Sequence, residues 1–168
     1  MIYYIRLLWP DDDQFLRDLL IPDTLSFLDL HKAIQEALGY QTAEMSSFII
    51  TDEAWNKLQE LPLVNFEDSK STSPMDIPLN TYLNDFHQFL YVFDYFSERA
   101  LFGQIIKTEE DKSQKITTPV LVKSEGNAPE QMKIDLDLGI EDSFDDNDDD
   151  LFDDDEFNDT DYFDETEF

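Results

Sequence analysis

The chain has 168 residues, 40 Asp or Glu against 11 Lys or Arg, and a formal net charge of −29, which fits one domain with an acidic appendage. It contains no cysteine, so disulfides, thiolate metal sites and cysteine nucleophiles are excluded. The three arginines, Arg6, Arg17 and Arg99, lie far apart and no Lys/Arg cluster exists, so direct nucleic-acid binding is not expected.

Residues 2–9 are rich in β-branched and aromatic side chains, Pro10-Asp11-Asp12-Asp13 reads as a turn, and residues 15–21 are apolar again. This is the pattern of a two-stranded hairpin. The apolar start lacks the basic flank and small-residue cleavage site of a signal peptide. Pro22-Asp23 stops the second strand. Ser26 with Asp29 three residues on resembles a capping box. Phe27, Leu30, His31, Ile34 and Leu38 then recur on one helical face before Gly39, a natural C-terminal stop. The spacing predicts a β-β-α unit over residues 2–39.

Further along, residues 42–45 suggest one helical turn and 48–51 a short strand. Residues 52–58 read as a capped helical turn carrying Trp55, and 61–66 as another strand. Residues 67–77 form a polar loop, expected to be mobile. A short helix is expected at 81–86. Residues 88–95 (QFLYVFDY) are a continuous apolar-aromatic run that suits a strand covered on both faces. Residues 97–99 turn into a second strand at 100–107, and 119–123 give a last extended segment. The fold class expected is α+β: a mixed β-sheet whose N-terminal ββα unit packs on one main helix, β-grasp-like in outline. This globular domain is assigned to residues 1–131. No run approaches the ~18 apolar residues of a membrane span, and a cytoplasmic location is expected.

Residues 132–168 form the second part. Between positions 135 and 168 there are 18 acids and no Lys or Arg, leaving 22 acids and all 11 bases to residues 1–134. Self-repulsion and low aliphatic content cannot offset the entropy of ordering, so a disordered acidic tail is expected. Phe144, Leu151, Phe152, Phe157, Tyr162, Phe163 and Phe168 punctuate the acids. Acid–aromatic alternation suits a segment that folds on a basic, grooved protein partner. A merely solubilising tail is one alternative, and docking back on the body is another. Asp145, Asn147, Asp149, Asp153 and Glu156 fit a calcium-loop template, but the position normally held by Gly is Asp150. A tract this rich in Asp gives such matches by composition, so no metal site is assigned.

Two polar residues in the body are candidates for chemistry. His31, on the apolar helical face, and Asp94, among aromatics near a strand end, are the residue types of general acid–base work. The plainer reading is a hydrogen-bonded core histidine, and an aspartate that accepts turn amides or pairs with Arg99. His87 is expected at the surface. No nucleophile elbow, phosphate-binding glycine loop or zinc motif is present.

Three segments in order carry a resemblance. They are residues 21–50, with Leu30-His31 in the helix, Gly39-Tyr40 after it and a strand opening at Phe48; FLYVFDYFSERALF (89–102); and PVLVKSEGNAPEQ (119–131). Together they resemble the plasmid pRiA4b ORF-3-like family, also described as passengers of insertion elements, in an acidic-tailed branch found in Bacteroidetes. The helix segment and the closing Gly126-x-x-Pro129-Glu130 are the more specific parts. The resemblance implies a compact α+β domain and confers no established activity. Family members often carry a His-rich turn where this chain has Glu44-Met45-Ser46. They often carry Tyr-Asp-Phe-Gly-Asp-x-Trp where it has Phe93-Asp94-Tyr95-Phe96-Ser97-Glu98-Arg99. A site built on those polar residues is largely missing here.

The expectation is a non-enzymatic cytoplasmic interaction module, without cofactor, whose tail recognises a basic protein. Two other classes stay open: a small enzyme or ligand-binding domain near His31 and Asp94, and a mobile-element accessory protein acting by DNA mimicry.

Overall fold

The computed structural model describes residues 1–42, 45–68, 70–113 and 115–132. Packing groups the chain into two units, Met1–Lys133 and Ile134–Phe168. The described elements belong to the first. They are β1 (Ile2–Trp9), β2 (Asp12–Pro22), α1 (Phe27–Leu38), β3 (Ser47–Thr51), β4 (Lys57–Pro62), α2 (Asn80–Leu83), β5 (Gln88–Asp94), β6 (Arg99–Glu109) and β7 (Val120–Glu125). The fold is α+β, a seven-stranded sheet in the order β4-β3-β5-β6-β1-β2-β7 with two helices.

Every pairing in this sheet is antiparallel. The mixed sheet expected in a β-grasp-like outline is corrected accordingly. The reason lies in the connections. Short turns join β1 to β2, β3 to β4 and β5 to β6, and a short turn can only join antiparallel neighbours. The three hairpins stand side by side, and β7 adds to the free side of β2.

Helix α1 begins where the sequence signals it. Ser26 Oγ accepts from the Asp29 amide at 3.1 Å, and the Asp29 carboxylate accepts from the Ser26 amide at 2.9 Å. Gly39, at φ +70°, ends the helix in the left-handed conformation that costs glycine least. Two further amides at the N-terminus donate to the loop: Phe27 to the Ile77 carbonyl at 3.0 Å and Leu28 to that of Met75 at 2.9 Å. The end of the polar loop expected to be mobile is therefore built into the body, with Met75 fully buried.

Inward positions alternate along the strands, as the pleat requires. Tyr3, Ile5 and Leu7 on β1, Phe15, Leu19 and Ile21 on β2, and Phe89, Tyr91 and Phe93 on β5 meet Leu30, Ile34 and Leu38 of α1 in one core. Each such side chain contributes roughly 1.5–3 kcal/mol on burial. Gly103 leaves the space that the Phe89 ring fills, since a Cβ there would stand 2.2 Å from the ring. The continuous apolar run of β5 has partners on its other side too. Leu90 stands in register between Ile49 and Phe102, and Phe102 in turn opposite Leu8.

The stretch 52–58 is not a helical turn. The Asp52 carboxylate accepts from the amides of Ala54 and Asn56, each at 2.9 Å, and from Asn56 Nδ2 at 2.9 Å. These local bonds outcompete a helix. Trp55 takes φ +64° and meets Phe102 edge-on, with ring centroids 4.7 Å apart. The strand expected at 61–66 accordingly forms earlier, as β4. The expected turn at 42–45 lies partly outside the described residues. Among those residues no helix is long and apolar enough to cross a membrane.

Candidate functional site

Two buried polar networks are the places where chemistry could reside. The first joins α1 to β5. His31, only 4% exposed, lies with its Nδ1 2.9 Å from the Tyr91 hydroxyl. The Gln35 amide donates to the same hydroxyl. Burial pushes His31 down to about 4, with Lys32 adding a smaller push in the same direction, so the ring is neutral at physiological pH. A neutral ring has one N–H, so Nδ1 either accepts the Tyr91 proton or donates to that hydroxyl, according to the tautomer. Burial also pushes the Tyr91 phenol up to about 12, against the opposing pull of its hydrogen bonds. Gln35 Oε1 is buried and meets no donor among the described residues. Proton transfer to a substrate needs solvent-side access, and this chain of groups points into the core.

The second network is charged. Asp94, at the end of β5, accepts from the Ser97 amide at 3.2 Å and from Arg99 Nε at 2.9 Å, and Arg99 Nη2 stands 2.8 Å from the same carboxylate. Arg99 Nη2 also donates to the Glu130 carbonyl at 2.7 Å. Arg17, buried on β2, donates to backbone carbonyls: Leu16 and Gly126 each at 2.9 Å, Glu125 at 2.5 Å and, at a longer 3.4 Å, Ala37. Burial lowers its pKa. Each guanidinium also lies over a ring, Arg17 over Phe15 at 4.6 Å and Arg99 over Phe93 at 5.1 Å. Tyr40, just after α1, donates its hydroxyl to the Pro129 carbonyl and packs on Phe93. Its pKa is raised by burial although both arginines pull the other way. The Gln131 side chain closes the set, accepting from the Gln41 amide at 2.9 Å and donating to the Gln41 carbonyl at 2.7 Å.

Several of these bonds share one target, the closing segment around Gly126-Asn127-Ala128-Pro129-Glu130. Four of its backbone carbonyls or their immediate neighbours are gripped by Arg17, Tyr40 and Arg99. Gly126 itself adopts φ +70°, and a Cβ there would stand 2.7 Å from the Gln14 carbonyl oxygen. A glycine is required on both counts. The network is thus a clamp on the segment that precedes the acidic stretch.

Of the residues singled out from sequence, His31 and Asp94 both lie in the body as buried, hydrogen-bonded groups, and His87 is exposed. Phe144, Leu151, Phe152, Phe157, Tyr162 and Phe163 lie outside the described residues. Arg17 and Tyr40 were not singled out. The signal for Arg17 was its phase, an arginine in the inward series Phe15, Arg17, Leu19, Ile21. No group of three or more His, Asp or Glu is placed to hold a metal ion among the described residues.

No curated protein matches the chain. In fold it is similar to a protein of unknown function from Methanosarcina mazei Go1. That likeness has a TM-score of 0.56 and 17% identity over 76% of this chain and 71% of the other. In sequence, the family model described as plasmid pRiA4b ORF-3-like protein matches residues 5–165, nearly the whole chain, including the clamped segment and its arginines. The chain belongs to the plasmid pRiA4b ORF-3-like family.

Proposed function

We propose that the protein is a non-enzymatic, cytoplasmic interaction module whose acidic, aromatic-punctuated C-terminal stretch captures a basic protein. The observation that carries this reading is the composition of residues 135–168, in which 18 acids are spaced by six aromatics and no cation is present. Such a stretch has strong long-range attraction for a basic surface and aromatic anchors for a groove within it. The clamp supports the reading by fixing the chain at residues 125–131, immediately before that stretch. The competing reading, a catalytic or ligand site at His31 and Asp94, is weakened because both groups are buried and spent on internal bonds. DNA mimicry by the same stretch is a narrower form of the proposal, marked by salt-suppressed competition with DNA for one basic protein.

The test keeps the full chain and replaces Phe152 and Phe157 by Ser together. Affinity capture of basic proteins should be lost while the melting temperature of the body stays unchanged. Capture that survives the double replacement refutes the reading.

A further inference from the structure

The two edges of the sheet are unlike each other. β4 guards its edge with Lys57, Glu60 and Pro62, residue types that discourage strand pairing. β7 presents Val120, Leu121 and Val122, between 41% and 51% exposed, and among the described residues pairs only with β2. Its register slips between Lys123, opposite Asp18, and Leu121, opposite Leu19. Val122 is the extra residue of this bulge, a device that re-aims side chains and often adjoins binding sites.

Beside this edge runs a half-open groove of about 600 Å³ between β7 and α1. Its apolar surface comes from Leu19, Leu121 and the small residues Ala33 and Ala37, and Lys32 and Glu36 stand on the helical side. Asp29 is also present, but its carboxylate is committed to the helix cap. Small helix residues leave room for side chains from elsewhere. The free side of β7 offers backbone donors and acceptors in a row, for which the matching chemistry is another extended backbone.

We propose that β7 and α1 form a strand-addition site. An extended peptide segment of a partner protein pairs with β7 and sends alternate aliphatic side chains into the groove over Ala33 and Ala37. Its other side chains face solvent and carry Lys or Arg. Charge chooses this occupant over a second copy, since residues 1–134 alone carry 22 acids against 11 bases, a net −11, so two copies repel while a cationic strand is drawn in. The alternation follows from the period-two strand, which points every second residue at the groove. This inference does not depend on the acidic C-terminal stretch.

The probe is a capped six-residue peptide alternating Val with Lys, with a scrambled peptide of the same composition as control. Both are titrated into the isotope-labelled full chain and followed by amide resonances. The alternating peptide should shift β7 together with Ala33 and Ala37, and slow hydrogen exchange in β7. It should bind about tenfold tighter than the scrambled control, equivalent to ~1.4 kcal/mol. Ala33→Gln, which keeps helix propensity while filling the groove, should abolish the difference, with an unchanged fold read from the remaining resonances. Phe152→Ser/Phe157→Ser should leave it intact, which separates this site from the proposed tail function. Equal binding of the two peptides, shifts confined to the acidic stretch, or a dimer formed through β7 without peptide would each overturn the proposal.

Discussion

The two buried networks solve the same problem, a polar group away from water, by opposite means. The His31–Tyr91–Gln35 set is neutral throughout and joins a helix to the strand beneath it. The Arg17–Tyr40–Arg99–Asp94 set is charged, and four of its bonds end on backbone carbonyls of one segment far along the chain. A neutral network can be upset only by forcing a charge into it. A charged clamp collapses when a cation is removed, because several carbonyls lose their donor at once. The contrast also separates roles: the first network fixes the core, and the second fixes where the chain leaves it.

Removing Arg17 should therefore give the largest effect. Arg17→Met keeps the aliphatic stem and contact with Phe15 but strands the carbonyls of Leu16, Glu125 and Gly126. A loss of about 3 kcal/mol is expected, because several part-buried bonds from one charged donor are lost together. Urea denaturation measures it. Hydrogen exchange should show β7 opening ahead of β5, and uniform opening of both would mean that Arg17 supports the whole core and is no local clamp.

The neutral network should instead answer to acid. Burial holds His31 at about 4 when folded, below the 6.5 of the unfolded chain. Above pH 6.5 neither state takes the proton, and the ring costs nothing. As pH falls from 6.5 to 4 the unfolded state binds a proton that the folded state refuses, so stability drops by up to about 3 kcal/mol. His31→Gln should remove that part of the pH dependence. His87→Gln should leave it in place, because His87 is exposed. An acid profile indifferent to His31→Gln would show that the ring is not held neutral.

Much of this organisation was written in local sequence. The capping box at Ser26, the apolar phase of α1 and the stop at Gly39 depend on residues a few positions apart, and all three stand where the pattern put them. The strand at residues 88–94 was equally plain from its aromatic run. What failed was of two kinds. Asp52 formed side-chain bonds to backbone that the helical reading of 52–58 did not weigh, and sheet order came from how hairpins dock, which no short window records. The clamp was missed for a third reason. Arg17 and Gly126 are 109 positions apart, and acceptors that are backbone carbonyls leave no side-chain signature to match with an arginine. Only the inward phase of Arg17 and the closing glycine hinted at it.

The smallest effect sharpens the comparison most, because it touches one bond of the clamp and no charge. Tyr40→Phe deletes the hydrogen bond to the Pro129 carbonyl and keeps the ring against Phe93. About 1 kcal/mol is expected from one such bond. The loss should be local: the Gln41 amide, which bonds the Gln131 side chain in the same segment, should exchange faster, while the Leu30 amide inside α1 should not. Alkali gives a second readout. Burial raises the Tyr40 phenol above its ordinary value of 10.0, so above pH 10 the unfolded chain sheds a proton that the folded chain keeps, and stability falls as pH rises. Tyr40→Phe removes that share of the alkaline loss, and Arg17→Met, which deletes a cation that favours the phenolate, should enlarge it. If both variants left the alkaline limb unchanged, Tyr40 would not be held between the two arginines as a proton donor, and the segment would have to be fixed by Arg17 and Arg99 alone.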